Sequence, residues 1–221
     1  MAEIYIEGDS GTVLIDDTYR NMTLYSKGVA ISSTGPTPVG RYFDLDIPRD
    51  DIHKGRILLA IKSPYFSAIC SVWDVGGVVR YKVLCEAPVG TAIQWYAFSL
   101  FEANPIDDGI ITLRNADGFV TFNSDANYLR VSDFVFWDYD KSFLRHYKDG
   151  RQYAAITCNR VLKVESADTP GGWSDIKAMG TKVSGSSVTF GKWDQRGTDG
   201  DRGTFRGGRV ASALVVDVTG L

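Results

Sequence analysis

Ile4-Tyr5-Ile6-Glu7-Gly8-Asp9-Ser10-Gly11-Thr12-Val13-Leu14-Ile15 and Ile111-Thr112-Leu113-Arg114-Asn115-Ala116-Asp117-Gly118-Phe119-Val120-Thr121-Phe122 read as one hairpin written twice. Aligning Gly11 with Gly118 needs no gap (118 − 11 = 107). Ile4 then meets Ile111, Ile6 meets Leu113, Val13 meets Val120 and Ile15 meets Phe122. Further on, Met22 meets Leu129 and Leu24 meets Val131. Each copy alternates apolar and other residues on both sides of a short polar turn, the period of a half-covered strand pair. Glycine closes the turn because it accepts positive φ without a Cβ clash. Only Ile4/Ile111, Gly11/Gly118 and Val13/Val120 are identical, so duplication and the chance likeness of two ordinary hairpins both account for the pattern.

Composition agrees with strands. The 221 residues include 11 Tyr, 11 Phe, 5 Trp and 23 Gly, with 44% hydrophobic and 23% charged. Aromatic richness, many turn glycines and few helix-forming runs predict an all-β protein. The length suits one large or two small domains. Asn104-Pro105-Ile106-Asp107-Asp108-Gly109 breaks the pattern just before the second hairpin. We therefore expect two β-sandwich-like units with long loops, 1–103 and 104–221.

The strands between read clearly. Phe43, Leu45 and Ile47 alternate with Asp44 and Asp46, a strand with one wet face. Ile57-Leu58-Leu59-Ala60-Ile61 is apolar throughout, as in a strand covered on both sides. A hairpin turn is expected at Gly76-Gly77, with Val79, Tyr81 and Val83 alternating on its return strand. Ile93–Phe101, Tyr153–Cys158, Val161–Val164, Ser187–Phe190 and Val210–Val218 are further strands, and the charged stretch 140–151 is the one candidate helical turn. The apolar strand 210–218 is expected to extend a sheet, one shared between chains included.

The opening hairpin, with its polar turn and the following Tyr19-Arg20-Asn21-Met22-Thr23-Leu24-Tyr25-Ser26-Lys27-Gly28, resembles small β-rich tail proteins of tailed bacteriophages. So does the second hairpin through Val131. The resemblance covers residues 1–28 and 109–133 and carries no catalytic signature. It implies a virion structural role at the tail tip, baseplate or fibre attachment, with other tail or fibre proteins as partners in a ring or trimer.

A net charge of −3 lacks the footprint of a nucleic-acid binder. No apolar run approaches a membrane span, and Met1-Ala2-Glu3 has no signal-peptide character, so synthesis and folding are expected in the host cytoplasm before assembly into the virion tail. Cys70, Cys85 and Cys158 sit in apolar runs, as free buried thiols would, and a Cys70–Cys85 disulfide is the alternative. His53 and His146 lie far apart, with no nucleophile motif beside either. The pairs Asp16-Asp17, Asp50-Asp51 and Asp107-Asp108 sit at turns, where aspartate bonds its own backbone. No enzyme activity, cofactor or metal is expected.

Residues 194–209 hold five glycines and four arginines. The Asp-x-Gly-Asp core lacks the ligand spacing of a calcium loop. The segment is read as a loop that orders on a neighbouring subunit, with Arg196, Arg202, Phe205, Arg206 and Arg209 as contacts. An alternative function is a carbohydrate- or receptor-binding β-sandwich of a tail fibre. It would stack ligand on exposed aromatics, with Trp173 and Trp193 the candidates. Trp73, Trp95, Tyr96 and Trp137 could join only if exposed with them, and strand aromatics are more often core, Trp95 being expected buried.

Overall fold

A computed structural model of the chain describes residues 6–7, 13–15, 22–34, 41–48, 57–100, 111–114, 120–166, 174–197, 205–206 and 208–221. These are strands and their connections, with no helix among them. The first half contributes β1 (Ile6–Glu7), β2 (Val13–Ile15), β3 (Met22–Ile31), β4 (Ser33–Thr34), β5 (Arg41–Pro48), β6 (Leu58–Lys62), β7 (Ser67–Val75), β8 (Val78–Cys85) and β9 (Ala92–Leu100). The second contributes β10 (Thr112–Arg114), β11 (Val120–Asn123), β12 (Arg130–Asp138), β13 (Phe143–His146), β14 (Tyr153–Asn159), β15 (Leu162–Ser166), β16 (Ser174–Ser184), β17 (Ser187–Gly197), β18 (Phe205–Arg206) and β19 (Val210–Asp217).

Two sheets pack face to face. One has six strands in the order β12-β19-β14-β6-β9-β3, the other nine-stranded path begins β13-β17-β16-β7-β8-β5-β4 and carries β15 and β18 beside β16. Apart from β4 in the first half and β15 and β18 in the second, the halves use these sheets in the same order. In each, a hairpin (β1–β2, β10–β11) forms its own small sheet. Next come an edge strand of the six-stranded sheet (β3, β12), an outer strand of the other (β5, β13) and two strands at the seam (β6 and β7, β14 and β16). Last come the middle strands (β8 and β9, β17 and β19). The seam joins β6 to β14 at Ile61↔Ala155 and β7 to β16 at Ser67↔Thr181, both antiparallel, so a pseudo-twofold axis runs through both sheets. Both sheets therefore continue from one unit into the other, and the expected boundary at 103/104 lies outside the described residues.

Register repeats as well. Ile6↔Ile15 and Glu7↔Val13 in the first hairpin correspond to Leu113↔Phe122 and Arg114↔Val120 in the second. The 107-residue offset reaches the edge strands, where β3 is bulged between Leu24 and Ser26 and β12 between Val131 and Asp133. The turning glycines Gly11 and Gly118 lie outside the described residues.

Each half has a core between the sheets. In the first, Leu59, Ile61 and Ile93 from one sheet meet Phe43, Ile69 and Val83 from the other. In the second, Val135, Ala213 and Val215 meet Met179, Val188 and Phe190. The apolar run at β6 is covered on both faces: Leu59 and Ile61 point inward, while Ala60 joins Phe98, Ile156 and Val216 in a third cluster on the outer face of the six-stranded sheet. The β7–β8 turn is closed by Gly76 and Gly77, at φ 54° and 91°, conformations that disfavour a side chain.

Two expectations are corrected. The stretch 140–151 contains β13, not a helical turn, because Phe143 packs into the second core while its backbone pairs with β17. The strand 210–218 offers no edge to another chain, since β19 lies between β12 and β14 and its pairing is used on both sides.

Candidate functional site

The chemistry-bearing side chains are scattered. His146 lies exposed on β13, its Nδ1 2.9 Å from Ser187 Oγ across the strand pair. Among the described residues no carboxylate hydrogen-bonds this imidazole, so the pair lacks the third group that would orient a base. His53 and the three aspartate pairs lie outside the described residues. Among the described residues no three His, Cys, Asp or Glu side chains gather to hold a metal ion. All three cysteines are free. Cys85 is buried, and burial pushes its thiol up to about 11. Cys158 departs from the expected burial: it sits in the register shift of β14 between Thr157 and Asn159 and is exposed.

The segment 194–209 is shorter as a loop than expected. Residues 194–197 prolong β17, with Arg196 opposite Asp175 and Gly197 opposite Ser174. Phe205 and Arg206 form β18 against Lys163 and Leu162. Long cross-strand pairing with β16 overrides the local glycine content here. Arg202 lies outside the described residues. Arg209 reaches Asp140 Oδ2 at 3.1 Å, beside Lys192 on the same carboxylate.

The tryptophans separate sharply. Trp173 lies outside the described residues. Trp193, expected to be exposed, is 5% exposed and stacks on Phe66 with centroids 5.9 Å apart. It lies flat because Gly180 leaves room, a Cβ there falling 2.8 Å from the Trp193 ring. Trp137 and Tyr96 are buried and Trp95 is half-buried. Trp73 alone among the described tryptophans is exposed.

An aromatic surface does form elsewhere. On the outer face of β12, Phe134 and Phe136 are 48% and 61% exposed, with centroids 4.5 Å apart and Val131 exposed beside them. Among the described residues β12 pairs with a strand, β19, on one side only. Its inward-facing Asp133 accepts bonds from Arg145 Nη1 at 2.6 Å and Tyr147 Oη at 2.9 Å, tying the two sheets together at this end. The Tyr147 phenol is pushed up by burial and by that neighbouring carboxylate. This edge strand thus turns apolar side chains to solvent. Sequence reading missed these residues because Phe134-Val135-Phe136-Trp137 is apolar on both faces, the pattern of a fully covered strand.

Comparison with protein families, with curated proteins and with solved structures finds no match for this chain.

Proposed function

We propose that the chain is a non-enzymatic structural protein of a bacteriophage tail, at the tip, baseplate or fibre attachment, and that it binds neighbouring tail subunits. The hairpin resemblance supports the tail assignment. The observation that carries the binding role is the exposed Val131, Phe134 and Phe136 on β12, the edge strand of its sheet among the described residues. The first half bears a smaller counterpart on its own edge, where Val29 and Ile31 of β3 are exposed. With apolar edges at both ends of one sheet, each copy can meet two neighbours, the arrangement a ring or trimer needs. Such contacts hold in the virion tail, after folding in the host cytoplasm.

The test replaces Phe134 and Phe136 by aspartate together. The double variant should fold normally, since both side chains lie in solvent, and should sediment as a monomer and fail to enter assembled tails. Unchanged oligomer size and normal incorporation would remove the proposed contact.

A further inference from the structure

On the outer face of the nine-stranded sheet, β5, β8 and β7 set side chains in two rows. Asp46, Arg80 and Trp73 stand in register in one row; Asp44, Lys82 and Ser71 stand in the next. Arg80 grips Asp46 with Nε at 2.6 Å from Oδ1 and Nη2 at 2.5 Å from Oδ2. Lys82 Nζ lies 4.6 Å from the Tyr42 ring centre and 5.8 Å from that of Trp73. Trp73 is 39% exposed at the end of the array. Among the described residues neither Lys82 nor Asp44 is held in an ion pair.

The second half provides an internal control, because β13, β17 and β16 build the same three-strand array. Matching the two hairpins from their turns places Leu144, Thr189 and Lys182 where the first half has Asp46, Arg80 and Trp73. It places Ser142, Gly191 and Gly180 where Asp44, Lys82 and Ser71 stand. The second of these rows is covered, since a Cβ on Gly191 would lie 2.6 Å from Ser142 Oγ and Trp193 covers Gly180, while Leu144 in the first row is 50% exposed. The fold is thus satisfied without an open charged array. The second half keeps the same strand order without Asp44, Asp46, Arg80 and Lys82.

We propose that this face binds a neutral oligosaccharide, with Trp73 as the stacking platform. Two carboxylates and two cations cancel, so the array selects no net charge. It presents acceptors and donors alternately, the need of a polyol whose hydroxyls do both. The bidentate Asp46–Arg80 pair leaves lone pairs and guanidinium N–H groups free for vicinal hydroxyls. Strands about 4.8 Å apart space these groups on the scale of a sugar ring. The apolar face of a pyranose lies on the indole, which offers a large flat surface. This binding is independent of the subunit contacts at β12.

The full chain is titrated with cellohexaose, maltohexaose, mannohexaose and N-acetylchitohexaose, followed by calorimetry and tryptophan fluorescence. At least one should bind, and Trp73→Ala should weaken it by about tenfold or more. Asp44→Ala, at a solvent-facing position, should weaken it too and serves if the tryptophan variant does not fold. Lys182→Ala, the second-half counterpart of Trp73, should bind as the parent does. The proposal is overturned by no binding of any hexasaccharide at millimolar concentration, or by affinity unaffected in folded Trp73→Ala and Asp44→Ala. Equal loss in Lys182→Ala, or binding confined to an acidic polymer such as polygalacturonate, overturns it as well.

Discussion

Gly28 faces Trp95 in the first half; the equivalent pair in the second is Val135 and Ala213. Two positions along, Ala30 faces Ile93 where the second half sets Trp137 against Ala211. Each half thus puts one tryptophan between its sheets, but on different strands, and each keeps a small residue opposite it. The Trp95 ring crosses Gly28 so closely that a Cβ there would lie 2.8 Å away. Trp137 packs edge-on against Phe190, centroids 5.2 Å apart. Backbone register is shared down to the bulge, whereas volume is balanced pair by pair. What this layout requires is the sum across facing strands, and either strand can supply the bulk.

The sharpest way to break that view is to give the first half the pair of the second. Trp95→Ala alone should cost about 3 kcal/mol through the space it empties. Gly28→Val alone should cost about 2 kcal/mol by overpacking. The double variant should be more stable than the sum by at least about 1 kcal/mol in denaturant unfolding, because each change relieves the other. Strict additivity would show that the halves are not interchangeable in this respect.

A smaller effect distinguishes the halves by charge. Asp217, buried in the second half, is the counterpart of Ser99, buried in the first. Burial pulls the Asp217 carboxyl upward, but bonds from Thr219 and Arg151 and the charge of Arg130 outweigh it and hold its pKa below 3.8. A carboxyl with a depressed folded pKa contributes stability fully present above its unfolded pKa and lost as pH falls through the folded one. Asp217→Asn should therefore cost about 1–3 kcal/mol at neutral pH, with the gap to the parent closing below pH 3.8. Ser99→Ala should show no such closure. A pH-independent gap for Asp217→Asn would contradict the ion-pair account.

The smallest effect is expected at Asp46 and Arg80, where the second half has Leu144 and Thr189. The hydrogen bond from Arg80, and then its charge, hold the Asp46 carboxyl below 3.8. Arg80→Ala should return it toward that value in an NMR titration while melting stays unchanged, since both groups are solvated. A clear loss of melting temperature would make the pair a structural element.

The repeat was legible because the hairpins align without a gap, and the same offset carries to the bulges of β3 and β12. The doubly covered β6 was legible from its unbroken apolar run. Continuity of the sheets across the halves was not, because it rests on Ile61↔Ala155 and Ser67↔Thr181, single pairings between distant residues with no local pattern. The burial of Trp193 was hidden for a similar reason: it depends on Gly180 beside it and on Phe66 from the other half. Trp73 was visible only as one aromatic among several, since its neighbours Asp46, Arg80 and Lys82 come from two other strands.

The pseudo-twofold seam has one more consequence. Two identical chains meeting across such an axis would receive every substitution twice, once on each side, and whatever one surface acquired the other would carry as well. Joining the two arms in one polypeptide removes that coupling. A tryptophan can move to the opposite strand in one arm alone, and charges can line one face while glycines let a tryptophan cover part of its twin. Asymmetry of that kind gives a symmetric scaffold two different sides to offer.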